Sequence, residues 1–538
     1  MLVARRPGAA HLLVPFAVLA VVLFVLPLAR FLAVPFIPGA HAHQALLSGR
    51  GLSVTLIRAA VENTVAIGLA SAGLALVVGS FFGWLVERSR WRWRALCTAA
   101  MWALLVYPSY LIATGWQTIF SDPSLRDDVL GRALFSPMGV AVLIALKAIP
   151  FTFFTTRVTY GGIASELDDA ARVHGVAGWR YQLAILRLLA PPMASAFSVA
   201  FASAIQEFGI PATLAAQIRF PLVSYAIFES LSRTPLDFRG AAVLSWVLVM
   251  LAVACAAVQA LIQGRYRAML VGGRGASKHT GGPPARPVAF LAFLVLASVV
   301  VLGLVGPNAA LVWSALGSDR DGVPLPILWS GIPDSVAFAT LGSLIAVAVA
   351  GIFVATLSRG SRAARVVDMV ALANLAIPDL VLGSAFIIAF SSAVLPIYGT
   401  PIILLLGYAG SRLPVIVRFL YAPVTQLHVQ VGEAAEVHGL ETWSRVMAIG
   451  MPLLLKPFFW AWLIAFSSLF FELPLSELLY PPGRPTLGVA VVTLNQGLRF
   501  AEAARLSLLA MATFAVIVLP LFAAIRYVLQ DKEGAYTR

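Results

Sequence analysis

The chain has 538 residues, of which 60 % are hydrophobic and only 12 % are charged, and its mean hydropathy is +0.90. No soluble globular domain has this balance, so the composition indicates a membrane protein whose apolar runs cross the bilayer repeatedly. The net charge of +14 does not indicate nucleic-acid binding, because no basic-aromatic module is present and basic residues commonly flank membrane spans. The two cysteines lie in apolar stretches and offer neither a disulfide framework nor metal-site spacing.

Twelve apolar runs are predicted to span the membrane, six on each side of a basic stretch rich in glycine and proline. The first run follows two arginines, as in a signal peptide, but it is too long and lacks a clear cleavage site, so we expect it to be retained. The predicted spans are 11–36, 55–86, 95–119, 137–157, 193–216, 240–263, 288–310, 334–358, 366–392, 400–421, 457–476 and 506–528.

Charge predicts the orientation of these spans. An even number of spans puts both termini on one side, together with the basic stretch and the four arginines between 88 and 94. Roughly two dozen lysines and arginines fall on this side and about a dozen on the other, which assigns it to the cytoplasm.

A short polar motif occurs twice, between apolar segments, with a separation of 264 residues. An acid and two alanines favour the first turn of a helix, and a glycine favours its end. The two copies are Asp169-Ala170-Ala171 with Gly175, and Glu433-Ala434-Ala435 with Gly439.

The repeat divides the chain into two similar parts. We expect a first half at 1–263 with a cytoplasmic loop at 158–192, and a second half at 288–538 with a loop at 422–456. A flexible basic linker at 264–287 joins them. Six spans in each half give both halves the same orientation, so a pathway is expected between them.

The sequence offers no site for ATP hydrolysis or other catalysis. None of the four lysines (Lys147, Lys278, Lys456 and Lys532) lies in a phosphate-binding glycine-rich loop, and no zinc spacing or nucleophile elbow is present. We expect a transport subunit that is not an enzyme and holds no cofactor, so ATP would have to be used by a partner.

The repeated motif resembles the cytoplasmic EAA loop of permeases of binding-protein-dependent ABC importers. The second copy matches well, with Ile449 and Pro452 in place, whereas the first has Asp169 for Glu and Leu188 for Pro. The resemblance implies an all-α type I (MetI-like) permease in the bacterial inner membrane. It also implies two copies of an ATP-binding subunit that bind ATP and magnesium, and a periplasmic or lipid-anchored binding protein that delivers the solute.

In that family the loop forms a short coupling helix that contacts the ATP-binding subunit. This role carries over to the matching residues, and the alternative is that they are only solvated helix starts. The histidines that also repeat, His174 and His438, are interpreted as surface residues. The predicted coupling residues are Asp169, Ala170, Ala171, Gly175, Glu433, Ala434, Ala435 and Gly439.

Two acids within apolar runs are candidates for the substrate pathway. Glu207 and Glu472 occupy equivalent positions in the two halves, each just before a helix breaker. Carboxylates beside a broken helix can line a water-filled cavity and favour a cationic solute, or they can pair locally and stabilise a re-entrant turn. Lys147 and Arg412 are interpreted as snorkelling residues, and Asp379 as interfacial.

The fused halves, with Gln206-Glu207-Phe208-Gly209 in the first and Phe471-Glu472-Leu473-Pro474 in the second, are most similar to ferric-iron permeases. Thiamine and phosphonate permeases share the layout, and a polyamine is a further alternative. A secondary transporter would also have two like-oriented six-span halves but would need no ATPase. An intramembrane enzyme is disfavoured because no catalytic constellation is present.

Overall fold

The computed structural model describes most of the chain, and all regular structure in the described residues is helical. Nine of the described helices are long and apolar enough to cross a membrane, or ten if one sharply bent pair counts as a single span. This confirms the predicted all-α polytopic fold. The described residues are 24–37, 54–163, 173–175, 179–215, 220–232, 234, 236–266, 282–317, 331–357, 377–391, 396–426 and 451–535.

The long helices coincide with the predicted spans to within a few residues at most ends. The first and ninth predicted spans lie only partly within the described residues, as Phe24–Phe36 and Asp379–Phe390. The long helices are Val54–Arg88, Pro137–Gly161, Trp179–Gln206, Phe238–Tyr266, Arg286–Gly317, Gly331–Leu357, Pro401–Gln426, Met451–Phe470 and Phe500–Ala535.

Three predicted spans are broken into two pieces. The span 95–119 consists of Arg94–Val106 and Ser109–Ile119, which meet at an angle of 94°. The other two, 193–216 and 457–476, are interrupted after Gln206 and after Phe470. A proline lies at or just after each interruption, where it removes a backbone donor and its ring obstructs the preceding turn.

The described chain divides into two compact units that do not follow the two halves of the sequence. The first-half unit contains Gly39–Arg320 and Leu494–Arg505. The second-half unit contains Met1–Pro38, Asp321–Thr493 and Leu506–Arg538. Each unit therefore takes the first helix of the other half of the sequence.

Specific contacts hold the first helix in the second-half unit. The ring of Phe24 stacks on Phe386 with 6.0 Å between centroids. It also lies directly over Gly410, where an added Cβ would fall 2.2 Å from a ring carbon. Only a residue without a side chain permits this approach.

The helix Arg286–Gly317 is held in the first-half unit by hydrogen bonds. The indole of Trp116 donates to the carbonyl of Leu302 (2.9 Å), which lies in a π-helical turn that shifts the backbone hydrogen-bond register. The Tyr107 hydroxyl donates to the Asn308 carbonyl oxygen of its side-chain amide (3.2 Å).

Polar side chains also join the two longest neighbouring helices of the first-half unit, Val54–Arg88 and Pro137–Gly161. The Ser71 hydroxyl donates to the carbonyl of Ala141 (2.8 Å), and the Thr152 hydroxyl donates to the carbonyl of Ala75 (2.6 Å). Such bonds are typical of helices that pack in lipid, where apolar burial alone does not drive association.

Candidate translocation site

The first broken span exposes backbone acceptors in the middle of the first-half unit. Pro108 has an extended backbone (φ −67°, ψ 136°) and no N–H, so the chain turns there. In a continuous helix the carbonyl of Leu104 would accept the N–H of residue 108, which proline lacks. The bend also separates the carbonyls of Leu105 and Tyr107 from the N–H groups four residues later. Three carbonyl oxygens therefore need another donor.

Lys147 supplies that donor from the helix Pro137–Gly161. Its Nζ lies 2.8 Å from the carbonyl oxygen of Leu104, 3.3 Å from that of Leu105 and 2.5 Å from that of Tyr107. An ammonium has three N–H donors, which match three acceptors. The snorkelling interpretation of Lys147 is therefore wrong, because the side chain ends on the protein backbone at the break.

Glu207 connects the same break to a second one. It follows the helix Trp179–Gln206, and its Oε1 accepts hydrogen bonds from the Ser109 hydroxyl (2.6 Å) and the amides of Gly209 (2.9 Å) and Ile210 (3.4 Å). Ser109 is the first residue of the second part of the broken span. One carboxylate thus holds together the starts of two helical segments, where the backbone dipoles favour negative charge.

Glu472 has a comparable position in the second-half unit, but it is more completely enclosed. Its side chain is only 4 % exposed. Oε1 accepts from the amide of Leu475 (2.7 Å), and Oε2 accepts from the amide (2.9 Å) and hydroxyl (2.5 Å) of Ser476. Both oxygens therefore cap the short helix Pro474–Leu479, in the manner of an N-terminal capping residue.

The cation of the second-half unit is paired differently from Lys147. Arg412 donates from Nη2 to Oδ2 of Asp379 at 2.6 Å. Asp379 begins the helix Asp379–Phe390 directly after Pro378, so it also lies at the start of a helix that follows a proline. Asp379 is thus the partner of Arg412, a pairing that the sequence did not predict.

A repeated hydroxyl supports a short helix in each unit. The Thr64 hydroxyl accepts from the amide of Val223 (2.9 Å), which begins the helix Val223–Ser232. The Ser335 hydroxyl accepts from the amide of Leu487 (2.7 Å), which begins the helix Leu487–Gln496. The two amides are 264 residues apart, the same interval as the repeated motif.

The first-half unit also contains a buried amide cluster that sequence reasoning missed. Asn495 is fully buried and donates from Nδ2 to the Gln117 side-chain carbonyl (2.6 Å). Gln117 is 2 % exposed. The signal available in the sequence was weak, because single amides near the end of an apolar run are common.

Most of the predicted coupling residues lie outside the described residues. These are Asp169, Ala170, Ala171, Glu433, Ala434, Ala435 and Gly439. Gly175 is described: it is exposed and has φ +66°, the left-handed conformation that glycine adopts at helix ends. Val173 and His174 beside it are also exposed. Among the described residues, no group of three His, Cys, Asp or Glu side chains could hold a metal ion.

A family model described as "Binding-protein-dependent transport system inner membrane component" matches residues 75–268 and 347–533. The two matched segments cover more than half of the chain and correspond to its two halves.

Individual relatives are more distant. A putative ferric transport system permease protein, FbpB 1 of Haemophilus influenzae, is 22 % identical over 341 residues, which is 60 % of this chain and 53 % of that protein. The thiamine transport system permease protein ThiP of Salmonella typhimurium is 25 % identical over 396 residues, 71 % of this chain and 67 % of that protein. A probable sulfate transport system permease protein of Chlorokybus atmophyticus is 26 % identical over 198 residues, 35 % of this chain and 68 % of that protein.

The duplicated family segment, the all-helical fold and the matched breaks in the two units agree with one another. The chain belongs to the inner membrane components of binding-protein-dependent transport systems, as a multi-pass ABC importer permease with both of its halves fused in one polypeptide.

Proposed function

We propose that this chain forms the translocation pathway of an ATP-driven importer that carries ferric iron into a bacterial cell. The observation that supports the transport role is the pair of matched breaks: each unit holds a carboxylate and a cation at helix ends deep in an apolar helical bundle. Irregular backbone at membrane depth is tolerated where it is buried in protein or lines an aqueous cavity.

The energy for transport comes, in this proposal, from two copies of a separate ATP-binding subunit. They bind ATP and magnesium and contact the two coupling loops, with Glu433 and Asp169 at the starts of the coupling helices. A periplasmic or lipid-anchored binding protein delivers the solute from the opposite side. Both termini then lie in the cytoplasm, as the distribution of lysine and arginine predicts.

Of the two predicted pathway acids, Glu207 is the better placed to meet a solute. Its hydrogen bonds to described residues all use Oε1, and its side chain is only half-buried, so Oε2 is left for another partner. Glu472 uses both oxygens in capping its own short helix. We therefore assign Glu207 to the pathway and Glu472 to the support of the turn beside it.

Two observations bear on the solute. The relatives that align over both halves of this chain include a putative ferric permease and a thiamine permease, and both of those names refer to cationic solutes. A carboxylate in the pathway suits a cation. Thiamine is therefore the second candidate, and the longer alignment with ThiP favours it.

The test is reconstitution of the permease with its ATP-binding subunit in proteoliposomes. We expect ATP hydrolysis and uptake to rise several-fold when a binding protein loaded with ferric iron is added, and not when the same protein is empty. Stimulation by a thiamine-loaded binding protein alone would replace the proposed solute with the second candidate. If no ATP-binding subunit co-purifies and uptake proceeds without ATP, the proposed function is wrong.

A further inference from the structure

The turn between the helices Val54–Arg88 and Arg94–Val106 alternates arginine with tryptophan. Trp91 is 3 % exposed and stacks on Phe82, with 6.0 Å between ring centroids. Trp93 contacts Phe293 of the helix that begins at Arg286, with 5.7 Å between centroids. The two tryptophans therefore anchor the turn to two different helices of the first-half unit.

The alternation leaves the arginines on the outside. Arg90, Arg92 and Arg94 are all exposed. In the part of the chain that the structure describes, no carboxylate forms an ion pair with any of them; the acid that precedes them, Glu87, pairs with Arg157 at 3.3 Å. The guanidinium of Arg92 lies 4.8 Å from the ring centroid of Trp93, which fixes it against the turn.

A fourth arginine reaches the same place from a distant part of the sequence. The amide of Arg90 donates to the carbonyl of Gly282 (3.3 Å), which brings the segment 282–286 beside the turn. Arg286 at the end of this segment is exposed. Four cationic side chains thus surround a rigid turn, and none has a described acidic partner. They are Arg90, Arg92, Arg94 and Arg286, and we refer to them as the basic turn.

The basic turn lies at the boundary of the bilayer, because it joins the ends of membrane-spanning helices. The helices that leave it carry exposed apolar side chains next to the arginines: Leu96 is 49 % exposed, Phe290 64 % and Phe293 42 %. A ligand at this place would therefore meet positive charge at one end and apolar surface at the other.

We propose that the basic turn binds the phosphate headgroup of an anionic phospholipid, with its acyl chains against Leu96, Phe290 and Phe293. A guanidinium presents a planar fork of donors that matches two phosphate oxygens. Clusters of basic residues at the ends of membrane helices attract anionic headgroups, and tryptophan favours the membrane interface. A docked protein subunit would cover the charges but would not account for the apolar side chains that continue into the membrane region.

The experiment compares lipid retention by the full-length permease complex, purified in detergent with an equal mixture of phosphatidylglycerol and phosphatidylcholine and measured by native mass spectrometry. We expect the wild type to retain phosphatidylglycerol preferentially. In Arg90→Gln/Arg92→Gln/Arg94→Gln the preference should fall by about fivefold for each arginine removed. The matched control, Arg58→Gln/Arg126→Gln/Arg132→Gln, removes the same charge from other exposed positions and should keep the wild-type preference.

Two further arms separate the alternatives. If excess inorganic phosphate displaces the lipid completely, the turn is a general anion site and the lipid proposal is overturned. If the triple variant keeps its lipid but loses the ATP-binding subunit, the turn is a protein contact and the proposal is equally wrong. If the variant does not fold, the wild type still decides: a tenfold rise in salt should remove the preference for phosphatidylglycerol, since exposed charges are screened.

Discussion

At the residue scale, charges within the membrane helices are matched to particular backbone groups. Lys147 provides three donors to three carbonyls that Pro108 and the bend leave without partners. Glu472 provides acceptors to amides that begin a helix. Neither charge is placed as a general feature of a polar surface, so we expect each to be sensitive to substitutions that keep its size.

The substitution Lys147→Met should destabilise the permease by about 2 to 4 kcal/mol, because several buried carbonyls would lose their donor. The measurement is the midpoint of thermal unfolding of the purified complex, which should fall by several degrees. Lys456→Met is the matched control, since Lys456 is exposed and has no hydrogen bond or ion pair among the described residues. Equal midpoints for the two variants would contradict the role assigned to Lys147.

At the element scale, each unit is built from long helices with short segments inserted at proline or glycine. The long helices could be predicted, because an apolar run of about 20 residues specifies a span whatever surrounds it. The breaks could be predicted only in part. A span broken at Pro108 has nearly the same composition as an intact one, and the donor that stabilises the break lies about 40 residues further along the chain.

Part of the candidate site was also predictable. The positions of Glu207 and Glu472 beside helix breakers indicated the right segments, and the local role was one of the two alternatives. The partners were not predictable, since Ser109 reaches Glu207 from a separate span and Asp379 reaches Arg412 from another helix. The short helix Leu487–Gln496 was missed because an apolar segment of ten residues is too short to register as a span.

The two acids should respond differently to loss of charge. Glu472→Gln should lower the free energy of unfolding by about 1 to 3 kcal/mol, because an amide NH₂ would face backbone N–H groups that now have a carboxylate oxygen. Glu207→Gln should cost less stability, since one carbonyl oxygen can replace Oε1, but it should reduce uptake of a cationic solute. Stability by thermal unfolding and uptake in proteoliposomes separate the two effects.

Glu62→Gln serves as the surface control for both, because its side chain is 61 % exposed. The assignment would be reversed by stable Glu472→Gln protein with impaired uptake together with unstable Glu207→Gln protein. Wild-type uptake by the double variant would remove both acids from the pathway.

At the scale of the whole molecule, transport requires that the coupling loops transmit force from the ATP-binding subunit. Gly175 is the part of the first loop that the structure describes, and its φ of +66° is unfavourable for residues with a side chain, above all β-branched ones. We therefore expect Gly175→Val to distort the loop locally while the spanning helices remain folded. The second loop should depend in the same way on Glu433 and Gly439.

The predicted result is that Gly175→Val uncouples transport: uptake falls at least several-fold while the amount of permease in the membrane is unchanged. Its effect should be matched in the second loop by Gly439→Asp or Glu433→Lys, each measured by pull-down of the ATP-binding subunit. Gly73→Ala is the control, because a Cβ at Gly73 would meet nothing within 4 Å. Undiminished association and uptake in all three loop variants would rule out the coupling role.

The stacking of Phe24 on Phe386 has a consequence for biosynthesis. The two rings are about 360 residues apart, and at about 5 to 20 residues per second the ribosome needs roughly 20 to 70 seconds to make the chain between them. Throughout that interval the earliest segment of the nascent protein has only lipid against the surface that Phe386 will later cover. The order in which this polypeptide enters the bilayer therefore differs from the order in which its pieces reach their final neighbours.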